Sequence, residues 1–328
     1  MKDKKCWIIT EGLAGTENQC IGVAEALGAN YEVKRIQLKQ PWKTLSPPLL
    51  TAFSTTFDPP LRPPWPDILI ASGRKSVAAS LFIKNRSKGR TFTVQVQDPK
   101  IAPHYFDMVA APHHDSIRGD NVVVTDGAPN KVTARRLKDG RAQFAQTLEG
   151  LPSPRIAVLI GGSSWAFEMK EEDTKKLAGL LNNLTERTGA GLMVTASRRT
   201  GEKNTQFLKQ ALNSSDIYFW DGTGENPYFG LIGWADVILV TEDSVSMMSE
   251  AATTGKPVYK IPLTLKSKRK ARRLLKFHDH LKNLNAIRDF DGDISPFQNC
   301  KLHDSEKIAL AIQQAQGLKN HEDTSISL

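Results

Sequence analysis

Short apolar runs of strand length alternate along this chain with longer stretches in which apolar positions recur at helical spacing. Alternation of the two specifies a parallel sheet covered by helices on both faces. Strands are predicted over 6–10, 31–38, 67–71, 91–96, 107–111 and 121–125, with helices near 18–28 and 75–85. Between them, Pro41, Pro47, Pro48, Pro59, Pro60, Pro63, Pro64 and Pro66 forbid a regular helix across 39–66, apart from a short piece around 49–54. That segment reads as an insertion or a crossing loop. A second series follows "LEGLPSPR": strands over 156–160, 191–197, 217–220, 236–241 and 257–261, and helices near 171–188, 203–212, 227–233 and 245–253. The expected architecture is α/β, two doubly wound units facing a cleft. Residues 1–150 form the first unit and 151–302 the second; 303–328 hold a last helix, near 304–316, and a tail that reads as disordered. The last helix is free to return to the first unit.

Composition changes this picture little. The chain has 328 residues, 40% of them hydrophobic and 24% charged, enough for two cores. No apolar run is long enough to span a bilayer, and "MKDKKCWIIT" passes from charge directly into a strand, unlike a secretory signal or an arginine-rich transit peptide. Cys6, Cys20 and Cys300 lie far apart without metal spacing, which suits free thiols in a reducing compartment. A cytoplasmic location is expected.

Charge adds more. The formal net charge is +9, and seven of the eleven residues of "KSKRKARRLLK" (266–276) are basic. The plain reading is a solvated helix or loop face. The functional one is peripheral contact with an anionic membrane, at the cytoplasmic face of the inner membrane. Nucleic acid is not expected, because no recognition motif or aromatic platform accompanies the cations.

Candidate chemistry was sought at strand ends, where open α/β sheets bind ligands. "EGLAGTENQC" places Gly12 and Gly15 before a helix, but its spacing departs from the dinucleotide fingerprint and "QLKQP" offers no acid after the second strand. In "SGRKS", Ser72 and Gly73 suit a cap, leaving Arg74 to project. Asp98 in "QVQDPK", and His113, His114 and Asp115 in "APHHDS", follow strands; Asp98, His114 and Asp115 are candidate general bases, or else they only satisfy turn amides. In the second unit, Gly161, Gly162, Ser163 and Ser164 allow close approach of a phosphate, and Ser197, Arg198, Arg199 and Thr200 add hydroxyls and planar cations. Asn226, Pro227 and Tyr228 precede a short helix. Finally, "ADVILVTEDSVSMMSEAATTGKPVYKIPL" puts Asp243, Ser244 and Ser246 at a helix start, where free amides attract a diphosphate, and Ser246 shares a face with Glu250, which can accept from a ribose diol. Alternatively Asp243 or Ser244 is an N-cap; Met248 reads as core, and Met247 is left open between core and ligand.

"NPYFGLIGWADVILVTEDSVSMMSEAATTGKPVY", with "SGRKS", "VQVQDP", "PHHD", "LIGGSS" and "SRRTG", resembles the family of the plant mitochondrial fission factor of the elongated-mitochondria phenotype and its bacterial relatives, often described as glycosyltransferases. The resemblance runs from about 6 to 262 and is most specific over 226–259. It implies a GT-B-like glycosyltransferase architecture of two Rossmann-like domains, with a nucleotide-diphosphate-sugar donor on the C-terminal one. It maps Glu250 to donor ribose and Asp243, Ser244 and Ser246 to phosphate, with neither metal nor cofactor, and puts an envelope glycan or lipid-linked acceptor on the N-terminal domain. Two other functions stay open: an adaptor that keeps the fold and recruits a protein partner, and a nucleoside-diphosphate-sugar epimerase, disfavoured because no Tyr-x-x-x-Lys pair stands at a useful place.

Overall fold

The computed structural model describes residue 1 and residues 3–40 and 53–325. In chain order the elements are β1 (Lys5–Thr10), α1 (Ala14–Ala26), β2 (Asn30–Arg35), β3 (Gln37–Leu38), β4 (Phe57–Asp58), β5 (Ile68–Ser72), α2 (Ser76–Arg86), β6 (Phe92–Val96), β7 (Met108–Pro112) and β8 (Val122–Thr125). Then come α3 (Ala134–Gln143), α4 (Ala145–Leu148), β9 (Arg155–Ile160), β10 (Phe167–Glu168), α5 (Glu171–Thr188), β11 (Gly191–Ala196), α6 (Glu202–Ala211) and β12 (Ile217–Trp220). The chain continues through α7 (Tyr228–Trp234), β13 (Val237–Thr241), α8 (Val245–Thr253), β14 (Val258–Ile261), β15 (Thr264–Leu265), α9 (Lys268–Asn283), β16 (Arg288–Asp289) and α10 (Asp304–Ser325). Every strand and helix with an expected range inside the described residues is present, most within a residue or two for the strands and a few for the helices; the strand expected over 31–38 divides into β2 and β3, and α10 continues to Ser325, where a disordered tail was expected. The piece expected around 49–54 falls mostly outside them.

One compact unit comprises Met1–Lys131 and His303–Leu328. Its six-stranded sheet, ordered β2-β1-β5-β6-β7-β8, is parallel throughout. Period-two alternation sorts its side chains: Cys6 and Ile8 face α1 and α10, whereas Trp7 and Ile9 face α2. The described part of the proline-rich segment is more than a crossing loop, since β4 pairs antiparallel with β3 and Phe57, Leu61 and Trp65 join that second core. Helix α10 closes the unit. Its Asp304 carboxylate accepts from the Asp126 and Gly127 amides, each at 2.8 Å, and Ile308 and Ile312 are buried beside α1.

The second unit, Val132–Leu302, has the all-parallel order β12-β11-β9-β13-β14-β16. Strand β9 directs Ile156, Val158 and Ile160 to one core, with α5 and α6, and Ala157 and Leu159 to the other, with α7 and α8. The boundary expected at 150 lies at 131/132 instead, because α3 packs on α7. A Cβ on Gly140 would come within 2.7 Å of the Phe229 carbonyl carbon, and one on Gly230 within 2.8 Å of the Phe144 ring, so only glycines permit this approach. Among the described residues no helix is long and apolar enough to cross a membrane.

Candidate functional site

Strand order reverses between β9 and β13 in the second unit, the place where open α/β sheets leave a crevice outside their strand ends. The turns after β9, β11 and β13 meet there. The Gly161 amide donates to Thr241 Oγ1 at 2.7 Å, and the Gly161 carbonyl accepts from the hydroxyls of Ser197 and Thr200. The Ser163 amide donates to the Arg199 carbonyl at 3.0 Å, while Ser163 Oγ accepts from the Met169 amide. A Cβ on Gly162 (φ +120°) would lie 2.2 Å from the Arg199 carbonyl oxygen. The glycines thus serve a close approach of protein backbone to protein backbone.

Asp243 has a role the sequence did not predict. Its side chain is fully buried, its Oδ1 accepts from the Gly162 amide at 3.2 Å, and Arg199 Nη1 stands 2.6 Å from Oδ2, near enough for an ion pair but out of line for a hydrogen bond. Burial raises the Asp243 carboxyl above the usual range, and the Arg199 charge opposes this. An acceptor so placed offers a phosphate nothing; it holds the glycine turn and Arg199. Its neighbour Glu242 turns elsewhere, accepting from the Leu263 amide at 2.7 Å and pairing with Lys260 at 3.0 Å.

Ser244 is the N-cap of α8, accepting from the Met247 amide at 3.4 Å, so the capping alternative holds for it. Its carbonyl receives the Met248 amide. The earlier amides, of Val245 and Ser246, receive no capping side chain among the described residues. Ser246 and Met247 are half-buried, and Met248 is core. One turn deeper, Glu250 Oε2 accepts the Tyr228 hydroxyl at 2.5 Å, and Asn226 Oδ1 accepts the Tyr228 amide at 3.0 Å, starting α7. Burial first, then the Glu250 charge, push the Tyr228 hydroxyl well above the tyrosine range. Arg198 is exposed and lines an open groove of about 570 Å³ with Ser197, Gly201, Thr205, Trp220 and Thr223. Gly161 is therefore bonded to Ser197 and Thr200, and Gly162 to Asp243, while Ser163 joins them through the Arg199 carbonyl and Ser244 through the Thr241 carbonyl. Asn226 and Glu250 connect to each other through Tyr228.

In the first unit the order reverses between β1 and β5, where Glu11 meets Lys75 at 2.5 Å and Arg74 is exposed. The three base candidates follow β6 and β7 instead, one and two strands farther along. Asp98 presents both oxygens to Lys100, to its amide at 2.8 Å and its ammonium at 2.5 Å. Asp115 is buried, and Arg118 ties the turn by donating to the carbonyls of Asp115 at 2.6 Å and His113 at 3.2 Å. His114 is half-buried. Arg118 and Thr241 escaped sequence reasoning, because Arg118 serves backbone carbonyls and Thr241 acts on Gly161, 80 positions away; Tyr228 was named only as preceding a helix, and its bond to Glu250 was not foreseen.

The family model for mitochondrial fission ELM1 matches residues 14–316. The chain belongs to the mitochondrial fission ELM1 family. An Arabidopsis thaliana member, mitochondrial fission protein ELM1, is 29% identical over 251 residues, covering 69% of this chain and 58% of that protein; the chain thus spans under two thirds of that ELM1 protein's length. An uncharacterized Rickettsia prowazekii protein is 24% identical over 296 residues, covering 77% of this ELM1-family chain and 82% of the relative. Among solved structures, the UDP-GlcNAc 2-epimerase of Methanocaldococcus jannaschii superposes with a TM-score of 0.52 at 13% identity, covering 94% of this chain and 92% of its own. The Neisseria meningitidis UDP-GlcNAc 2-epimerase bound to UDP-GlcNAc gives 0.50 at 13% identity, covering 97% and 92%. These likenesses show a GT-B-like fold of two Rossmann-like units.

Proposed function

We propose that the protein binds a nucleoside-diphosphate sugar where β9 and β13 diverge and transfers the sugar to an envelope or lipid-linked acceptor held by the first unit. The observation that carries this reading is the knot of three strand-end turns at that divergence, with α8 beginning inside it. Ordered amides cost no reorganisation when a diphosphate arrives, and a helix start favours its charge. In this reading the Val245 and Ser246 amides and Arg198 receive phosphate, Asp243 and Arg199 keep the glycine turn in place, and Tyr228 steadies Glu250 against the ribose. On the acceptor side, a base removes the proton from the attacking hydroxyl as the diphosphate departs from the anomeric carbon. Asp98, His114 and Asp115 are the candidates for that base. The reading calls on neither metal nor cofactor.

A fold shared with enzymes named as UDP-GlcNAc 2-epimerases makes epimerisation the second reading, and the family's fission-protein name supports an adaptor. A thermal-shift series with UDP, GDP, CMP, ADP and UDP-GlcNAc, on wild type and Glu250→Ala, separates them. A donor at several tens of times its Kd stabilises by roughly 2 kcal/mol. No shift with any nucleotide favours the adaptor, and stabilisation unchanged in Glu250→Ala removes the ribose assignment. Conversion of UDP-GlcNAc to its epimer without acceptor, followed by NMR, selects the epimerase.

A further inference from the structure

Helix α9 is built against its own stability. Its first turn carries Lys268, Arg269 and Lys270 and no acid, so three cations crowd the positive end of the helix dipole. Its apolar stripe, Ala271, Leu274, Phe277 and Leu281, is spent in the core of the second unit. Lys268, Arg269, Lys270, Arg272 and Lys276 are exposed, and none of these five is ion-paired among the described residues. A local rule broken without local gain marks a surface kept for a partner.

A second feature lies beside it, about a hundred residues earlier in the chain. Trp165 is 55% exposed. Strand β10, two residues on, pairs antiparallel with β15, which leads into α9, and buried Phe167 anchors the ribbon. The Lys266 amide donates to the Ala166 carbonyl at 2.9 Å and the Lys266 ammonium to the Ser164 carbonyl at 3.0 Å, bracketing Trp165 at the start of the basic helix. An indole beside a row of lysines and arginines is the combination that settles at a bilayer's polar boundary.

We infer that Trp165 and the exposed cations of α9 form a docking surface for an anionic lipid bilayer. Because the apolar stripe is already buried, the helix does not roll into the acyl chains; attraction is electrostatic, with one aromatic anchor, and falls steeply with salt. Trp165 directly follows the Gly161–Ser164 turn, so docking would bring that turn to the membrane surface. The inference stands whichever ligand the turn binds.

Flotation of the full chain with vesicles tests it without nucleotide. Wild type should bind vesicles containing phosphatidylglycerol, not pure phosphatidylcholine, and lose binding as salt rises. Combined Arg269→Glu, Arg272→Glu and Lys276→Glu should weaken binding roughly hundredfold, about fivefold per cation removed. Trp165→Ala should weaken it several-fold at unchanged charge, and the vesicle-induced blue shift of tryptophan emission should vanish in Trp165→Phe. All four positions are exposed, so no variant should melt below wild type. Equal binding to neutral vesicles, wild-type binding by the variants, or binding to RNA or DNA with none to anionic vesicles would each overturn the inference.

Discussion

Gly161 shows how tightly the strand-end turns are fitted: a Cβ there would lie 2.4 Å from Asp243 Oδ2. Gly161→Ala should therefore cost about 1–3 kcal/mol, as overpacking does, and abolish any nucleotide-induced thermal shift, which denaturant titration and melting can measure. His278 supports a pH prediction. Both ring nitrogens are buried without a hydrogen bond, and burial first, then the Lys260 charge, push its pKa down to about 3; the Glu242 backbone lies near enough to oppose this weakly. The folded state holds His278 neutral, so its contribution is complete above the ordinary histidine pKa and is lost as pH falls from there toward 3. The slope from this one proton is about 1.4 kcal/mol per pH unit, and urea unfolding of His278→Leu across that range should show it removed. At this scale the sequence exposed residue types but not partners. Asp243, Glu250 and Ser197 were recognisable as polar groups at strand ends; that Asp243 faces Arg199 and Gly162, and that Glu250 holds Tyr228, depends on neighbours 22 to 81 positions away.

At the level of elements, legibility followed periodicity. Every strand of the two large sheets except the two-residue edge β16 was visible, the inner ones as apolar runs because strands buried on both faces admit little else, and edge strand β2 through the alternation of Tyr31 and Val33 with polar residues. Helix α9 was left between helix and loop, although Ala271, Leu274, Phe277 and Leu281 keep helical spacing, because charge density masked the stripe. Its reversed electrostatics yield a prediction with two signs. Lys268→Glu and Arg269→Glu should each raise stability by about 0.3–1 kcal/mol, through a better match to the helix dipole, while weakening vesicle binding. Circular-dichroism melts and flotation of the same proteins check both. Helix α3 was missed for the opposite reason: "ARRLKDGRAQ" is strongly polar, and what holds it is the contact of Gly140 with Phe229 and Gly230, which no local pattern announces.

For the whole molecule, α10 is the decisive segment. It lies at the far end of the chain yet completes the first unit, with Ile308 and Ile312 fully buried and Asp304 bonded to the turn after β8. Ile308→Ala should cost about 2–5 kcal/mol by leaving a cavity, and the loss should fall on the first unit; hydrogen exchange should rise in β1 and α1 and stay unchanged in β9 and β13. Alternating strand and helix lengths were enough to determine two doubly wound α/β units, because burial on both sheet faces dictates composition residue by residue. Tertiary structure alone decided that 132–150 belong with the second unit, that the last helix belongs with the first, and that Trp165 stands beside Lys266. Those outcomes rest on contacts between segments far apart in the chain, whose energies depend on shape and close approach and so leave no periodic trace in the order of residues.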